Sequence, residues 1–360
     1  MTTPVLSSAL PLTIFALFVL CVPSAPTDEK DAPVEKTRWS KLAAGPKARY
    51  AFQTVWDSHK QRILLFGGET NPKFEIWDTL WSFSPEKGKW SELKPEQKRP
   101  ARRAYYAACF DTKRNGMWLH GGFNPKFLDD LWFFDSEKET WKQIDVKGAK
   151  PSPRDGHDLY YNPKTDQLIL LGGLLDFAKF QLSDELWVYD IGKNSWSKKT
   201  SGPSARVLYC GCLDVKEQRL YICGGFGKGG EAVSGELWSY DIAKDRWDSA
   251  KEKRPNFAAG RMVFVPEPDR LLIFGGADSH TEVWYDLKTA KWSAADKPAP
   301  APARSYHAMC LDPKSRRVYI LGGTTKGFAG KNVDPELWVL QLPPAKPSER
   351  EKSDGTITRA

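Results

Sequence analysis

The sequence predicts an all-β fold: a six-bladed β-propeller of four-stranded blades, with the ring closed by an N-terminal strand around Trp39. Three observations predict it. Gly pairs recur at Gly67-Gly68, Gly121-Gly122, Gly172-Gly173, Gly224-Gly225, Gly275-Gly276 and Gly322-Gly323, at intervals of 54, 51, 52, 51 and 47 residues. Each pair ends an apolar run, and a second run follows it with Trp at 81, 132, 187, 238, 284 and 338. A further Trp, at 90, 141, 196, 247 and 292, trails five of the six units, and the sixth lacks it.

Taken in order, the chain opens on targeting. Residues 9–22 form an apolar run of 14. That is too short to cross ~30 Å of hydrocarbon and matches the core of a signal peptide. A cut after Ser24 makes residues 1–24 the signal, with an uncleaved anchor or lipidation at Cys21 as alternatives. The mature protein is then secreted or periplasmic, with no membrane span. Residues 25–37 are charged and Pro-containing, hence a linker.

The orphan segment Arg38-Trp39-Ser40-Lys41-Leu42 matches Lys89-Trp90-Ser91-Glu92-Leu93. It supplies the outer strand that the sixth unit lacks. Strands from both termini then share one blade, and no long edge stays open. The propeller runs over 38–342, one domain with a single closed core. In four of the six units the turn after the third strand is marked by Asp (Asp135, Asp190, Asp241, Asp286), which can accept backbone N–H bonds. Each Gly pair permits a side-chain-free turn where blades crowd. Twelve of the 15 Trp fall on repeat positions and read as packing. Trp118 joins the core, while Trp77 falls in a loop. Residues 343–360 hold one Ile and no aromatic, hence a disordered tail.

The Gly pairs, the Leu-Trp strands (Leu131-Trp132, Leu186-Trp187, Leu237-Trp238, Leu337-Trp338) and the trailing Trp resemble the kelch-repeat family over residues 38–342. The resemblance implies a propeller but no particular reaction. In kelch binding domains the Arg that opens strand one and the residue after the Gly pair often contact an acidic peptide. It therefore implies ligand-contact roles for Arg49, Arg103, Arg154, Arg206, Arg304, Phe123 and Phe226. Blade five departs from the pattern, with Phe257 where Arg is expected and Arg261 four residues later.

Strand alternation puts the inter-blade loops and the strand two–three loops on one face. Three of these loops carry Lys-Phe: Lys73-Phe74, Lys126-Phe127 and Lys179-Phe180. With Trp77, they suit a protein segment or glycan that carries negative charge and a flat or apolar part. The competing reading is that the Arg residues cap strands or pair with acids, and the Phe residues tuck the loops down.

Signals for chemistry are sparse. His157 and His307 share a slot with Phe52, Tyr106 and Tyr209, and no zinc spacing occurs. The acid two before the first Trp (Asp130, Glu185, Glu236, Glu282, Glu336) recurs in five blades and reads as structural. Cys109, Cys212 and Cys310 read as buried thiols, and Cys210 and Cys223 fall on adjacent strands where a disulfide is open. Lys and Arg exceed Asp and Glu by 8, but the signs are interspersed. Nucleic acid is therefore not an expected partner. The expectation is a monomeric, non-catalytic binding module with no cofactor and no metal. The alternative is a carbohydrate-modifying enzyme, similar to sialic-acid mutarotase or galactose oxidase, acting at the channel mouth.

Overall fold

The computed structural model describes residues 37–70, 74–96, 98–233, 235–250, 257–276, 279, 281–325 and 332–345. The proposed signal, nearly all of the linker and the tail beyond residue 345 lie outside them. The described residues form six four-stranded antiparallel blades around a central channel. The innermost strands are Thr54–Asp57, Ala107–Asp111, Asp158–Asn162, Cys210–Asp214, Arg261–Val265 and Ala308–Asp312. Blade one shows the pattern: Thr54–Asp57, Arg62–Phe66, Leu80–Ser84 and Lys89–Leu93 pair in chain order from the axis outward.

Strand Arg38–Ala44 is the outer strand of blade six, antiparallel to Glu336–Gln341, with Trp39 opposite Leu340. In the other blades the equivalent Trp pairs with an aromatic ring across the strands: Phe83–Trp90, Phe134–Trp141, Tyr189–Trp196, Tyr240–Trp247 and Tyr285–Trp292, with ring centroids 4.8–5.2 Å apart. Such pairs stabilise a sheet beyond the area they bury. All twelve repeat Trp are buried or half-buried. Trp118 is buried too and donates to Asp111 at 3.0 Å. The turn aspartates act as expected. Asp135 Oδ1 accepts from the N–H groups of Glu137 and Lys138, and Asp190, Asp241 and Asp286 do likewise.

Two sets of backbone contacts join blade to blade. In five of the six pairs the second Gly donates to the carbonyl of the next blade's Arg: Gly68 to Arg103, Gly122 to Arg154, Gly173 to Arg206, Gly276 to Arg304 and Gly323 to Arg49, all at 2.8–3.0 Å. Both glycines of each pair have positive φ. A Cβ on Gly322 would stand 2.5 Å from the Arg49 carbonyl and 2.8 Å from the Phe52 ring. The second set lies at the axis. Ala51, Tyr105, Gly156, Leu208, Ala259 and Tyr306 all sit in the left-handed region, φ 54–60°. Each donates its N–H to the carbonyl of its counterpart in the preceding blade, and Ala51 closes the circle onto Tyr306, at 2.7–3.0 Å throughout.

Gly322→Ala should therefore cost far more than Gly88→Ala. Gly88 also has positive φ, but nothing lies within 4 Å of its missing Cβ. Left-handed strain alone accounts for about 1–2 kcal/mol at Gly88. Gly322→Ala should add about 2 kcal/mol or more by wedging blade six from blade one. Urea denaturation of both variants checks this. Equal losses would mean that the pair is needed for its turn and not for blade docking.

Candidate binding face

The inter-blade loops and the strand two–three loops do share a face. The residue after each strand-one Arg bridges the residue after the Gly pair: Tyr50 to Glu69, Ala104 to Phe123, Asp155 to Leu174, Val207 to Phe226 and Ser305 to Thr324. Alternating strand direction brings both sets of chain ends together at this level.

The five strand-one arginines lie beneath that face. Arg103, Arg154 and Arg304 are fully buried, and Arg49 and Arg206 are 2% exposed. Each donates from Nη1 to the carbonyl of the first Gly of its own blade's pair, at 2.7–3.2 Å. Each donates from Nε to the carbonyl two residues before it. Carboxylates neutralise three of them: Asp130 on Arg103 at 2.7 Å, Glu185 on Arg154 at 2.8 Å and Asp334 on Arg304 at 2.5 Å. Asp130 and Glu185 also accept from the indoles of Trp132 and Trp187, so these recurring acids are indeed structural. Arg49 has instead the Trp77 ring over its guanidinium at 4.4 Å. Burial pulls its pKa down to about 10. A guanidinium desolvated and bonded to backbone in this way works in the frame. Trp77 is half-buried for the same reason.

The loops carry what the face presents. Phe74 is 47% and Phe177 43% exposed, and among the described residues the only other large hydrophobic so exposed is Leu42. Lys126 and Lys179 are exposed. Phe123 and Phe127 pack edge to face with centroids 5.8 Å apart, half-buried, as are Phe180 and Phe226. Phe74 and Phe180, each following a Lys, have φ of 51° and 45°. A bulky residue there is uncommon and strained. Lys73 lies outside the described residues.

The centre of the face is not basic. Tyr50, Tyr105 and Tyr306 cluster over the axis, with centroids 6.3–6.4 Å apart. Glu69 and Asp155 lie beside them, 7% and 8% exposed. Burial pushes Glu69 up to about 7 and Asp155 well above the usual carboxylate range. Among the described residues, these tyrosines, Leu208 and the circle of backbone bonds fill the axis at this end. Sequence reasoning missed this cluster, although Glu69 and Asp155 occupy repeat positions that are apolar or small in most other blades.

His157 and His307 lie in the slots read from the sequence, but they face neighbouring blades. His157 Nε2 is 3.0 Å from His120 Nδ1, and His307 packs edge to face on Phe274. Burial lowers all three, His120 to about 3, so they are uncharged at neutral pH. No group of three or more His, Cys, Asp or Glu able to hold a metal ion occurs among the described residues. His280 lies outside them. Cys210 and Cys223 stand directly opposite each other, yet both are free thiols, donating to the carbonyls of Phe257 and Gly235.

Comparison with known proteins agrees with this architecture. The family model described as "KLHDC2/KLHL20/DRC7 Kelch-repeats domain" matches residues 33–214. Mei4-dependent protein 6 of Schizosaccharomyces pombe is 24% identical over 331 residues, covering 81% of this chain and 46% of its own. An F-box/kelch-repeat protein of Arabidopsis thaliana is 24% identical, covering 85% of this chain and 62% of its own. Acyl-CoA-binding domain-containing protein 4 of Arabidopsis thaliana is 28% identical over 62% of this chain and 33% of its own. The chain spans less than two thirds of the length of these relatives.

The buried acids give the face a pH signature. Folding raises Glu69 from 4.5 to about 7. The folded protein thus keeps a proton that the unfolded chain releases, and stability falls as pH rises from about 4.5 to 7. Glu69→Gln should remove that slope and stabilise the protein at pH 8 by up to about 3 kcal/mol. Thermal unfolding of both forms between pH 4 and pH 8 checks this. A variant no more stable at pH 8 than the parent would show that Glu69 is ionised at no cost.

Proposed function

The chain belongs to the kelch-repeat family, and from that premise we propose that it is a non-catalytic binding module whose loop face takes a protein segment. The observation that carries the reading is the exposure of Phe74 and Phe177 at the tips of loops held by a rigid frame. Exposed rings on strained loops are where binding energy concentrates. Lys126 and Lys179 add positive charge at the rim of the face, which suits acidic groups on the ligand. A glycan carrying acidic groups has the same chemistry and is the second source to test. The buried arginines contribute by holding the loops in place. The apolar run at 9–22 supports export of the module. No helix among the described residues is long and apolar enough to cross a membrane.

Selection of peptides from a displayed library against the purified protein tests the face. The selected peptides should combine an aromatic or apolar residue with Asp or Glu. The double variant Phe74→Ala, Phe177→Ala should weaken them about tenfold or more. Lys126→Glu with Lys179→Glu should weaken acidic peptides selectively. Leu42→Ala, equally exposed but on the outer strand of blade six, should leave binding unchanged. Binding that survives the Phe variants, or falls as much in Leu42→Ala, would place the ligand elsewhere.

A further inference from the structure

Just inside the circle of backbone bonds, each inner strand places one residue at the same level, four after the Arg position. In chain order these are Gln53, Ala107, Asp158, Cys210, Arg261 and Ala308. Large polar residues come from blades one, three and five, and small ones from blades two, four and six. Alternate blades of a six-fold ring stand about 120° apart, so the three long side chains approach the axis from alternate blades, while Ala107, Cys210 and Ala308 pack in the cores.

The convergence is built. Gln53 Nε2 donates to Asp158 Oδ1 at 3.0 Å, and Tyr160 donates its hydroxyl to Asp158 Oδ2 at 3.1 Å. Gly211 makes way for Tyr160: a Cβ there would stand 2.0 Å from the Tyr160 hydroxyl oxygen. Arg261 Nε donates to the His307 carbonyl at 3.1 Å. Its Nη groups have no hydrogen-bond acceptor among the described residues, and the nearest carboxylate oxygen, Asp158 Oδ1, is 3.6 Å away. The Arg261 side chain is only 18% exposed. A guanidinium has five donors in a planar fork, and Arg261 lines a cavity with its Nη groups available to a ligand.

These groups are the polar floor of a cavity of about 330 Å³ lined by all six inner strands. Its walls toward the strand one–two turns are apolar, with Phe110, Leu213, Phe264 and Leu311 half-exposed along them. The loop-face end is filled, so the cavity opens on the opposite face. We propose that this cavity binds a small monocarboxylate with an aromatic or aliphatic body, the carboxylate on Arg261 and the body between the apolar walls. A planar carboxylate fits the free edge of one guanidinium in bidentate fashion. A dianion such as phosphate does not suit it, because Asp158 stands beside Arg261, the one cation among the described residues lining the cavity. Burial raises the Asp158 carboxyl, which softens its opposition to a single negative charge. This site is independent of the loop face and does not rest on the function proposed for it.

Calorimetric titration of the purified protein with benzoate tests the inference, with benzyl alcohol as the uncharged match. Benzoate should bind saturably, and benzyl alcohol about tenfold more weakly. Arg261→Gln should lose about tenfold in benzoate affinity and leave benzyl alcohol unchanged. Asp158→Asn should tighten benzoate several-fold, a sign opposite to that of the Arg variant. The Phe74→Ala, Phe177→Ala protein should bind benzoate as the parent does. The absence of saturable benzoate binding, equal binding of the two probes, or an unchanged affinity in Arg261→Gln would overturn the inference. If Arg261→Gln does not fold, Asp158→Asn decides: tighter binding supports the site, and unchanged or weaker binding overturns it.

Discussion

Six hydrogen bonds running head to tail around the axis, from Ala51 through Tyr105, Gly156, Leu208, Ala259 and Tyr306, tie the blades into one object. Each requires its residue to hold a left-handed backbone, although only Gly156 is a glycine. Such a conformation costs about 1 kcal/mol or more per residue and persists only where neighbours impose it. Here each residue is held by the blades on both sides, so no bond of the circle stands without the others. The Gly pairs serve the same constraint from further out, by letting the next blade's Arg carbonyl come within reach of a backbone N–H. In five blades the strand-one arginine then bonds the carbonyl of the first Gly of the pair from below. Closing the circle also needs both chain ends, because blade six is complete only with Arg38–Ala44.

From this constraint follows the division of the molecule into two ends. At one end the circle and its tyrosines fill the axis, so the loops around it form a solid platform on which Phe74 and Phe177 stand exposed. At the other end the inner strands diverge from the axis, and the channel is left with a polar floor of Gln53, Asp158 and Arg261. Charge is sorted accordingly. Most of the arginines that looked like ligand contacts are used up between strands. The one that departs from the repeat, Arg261, keeps free donors facing a cavity.

Much of the fold was legible because its determinants repeat. Gly pairs, Leu-Trp strands and turn aspartates recur at intervals close to 51 residues, and the unmatched Trp39 counts the blades. The direction of the arginines was not legible, since a separation of 18 residues from the Gly pair is the same whether the guanidinium points out to a ligand or in to a carbonyl. What all five share is the carbonyl of the first Gly of the pair, and for Arg103 and Arg154 an acid 27 or 31 residues downstream adds to it. The circle at the axis left no trace, because Ala, Tyr and Leu carry no signal for a left-handed backbone. The filled axis at the loop face, and hence the opening at the other end, were hidden with it. Arg261 was visible only as an exception to the blade pattern, and Asp158 and Gln53, which stand with it at the axis, lie two and four blades away along the chain.

Hydrogen exchange at six amides tests most directly whether the blades form one closed object. If the circle opens only when the ring does, the N–H groups of Ala51, Tyr105, Gly156, Leu208, Ala259 and Tyr306 exchange with one common free energy equal to that of global unfolding. Exchange of any one of them well before the rest, above all Ala51 where the two chain ends meet, would contradict the account and show a ring that opens at a seam.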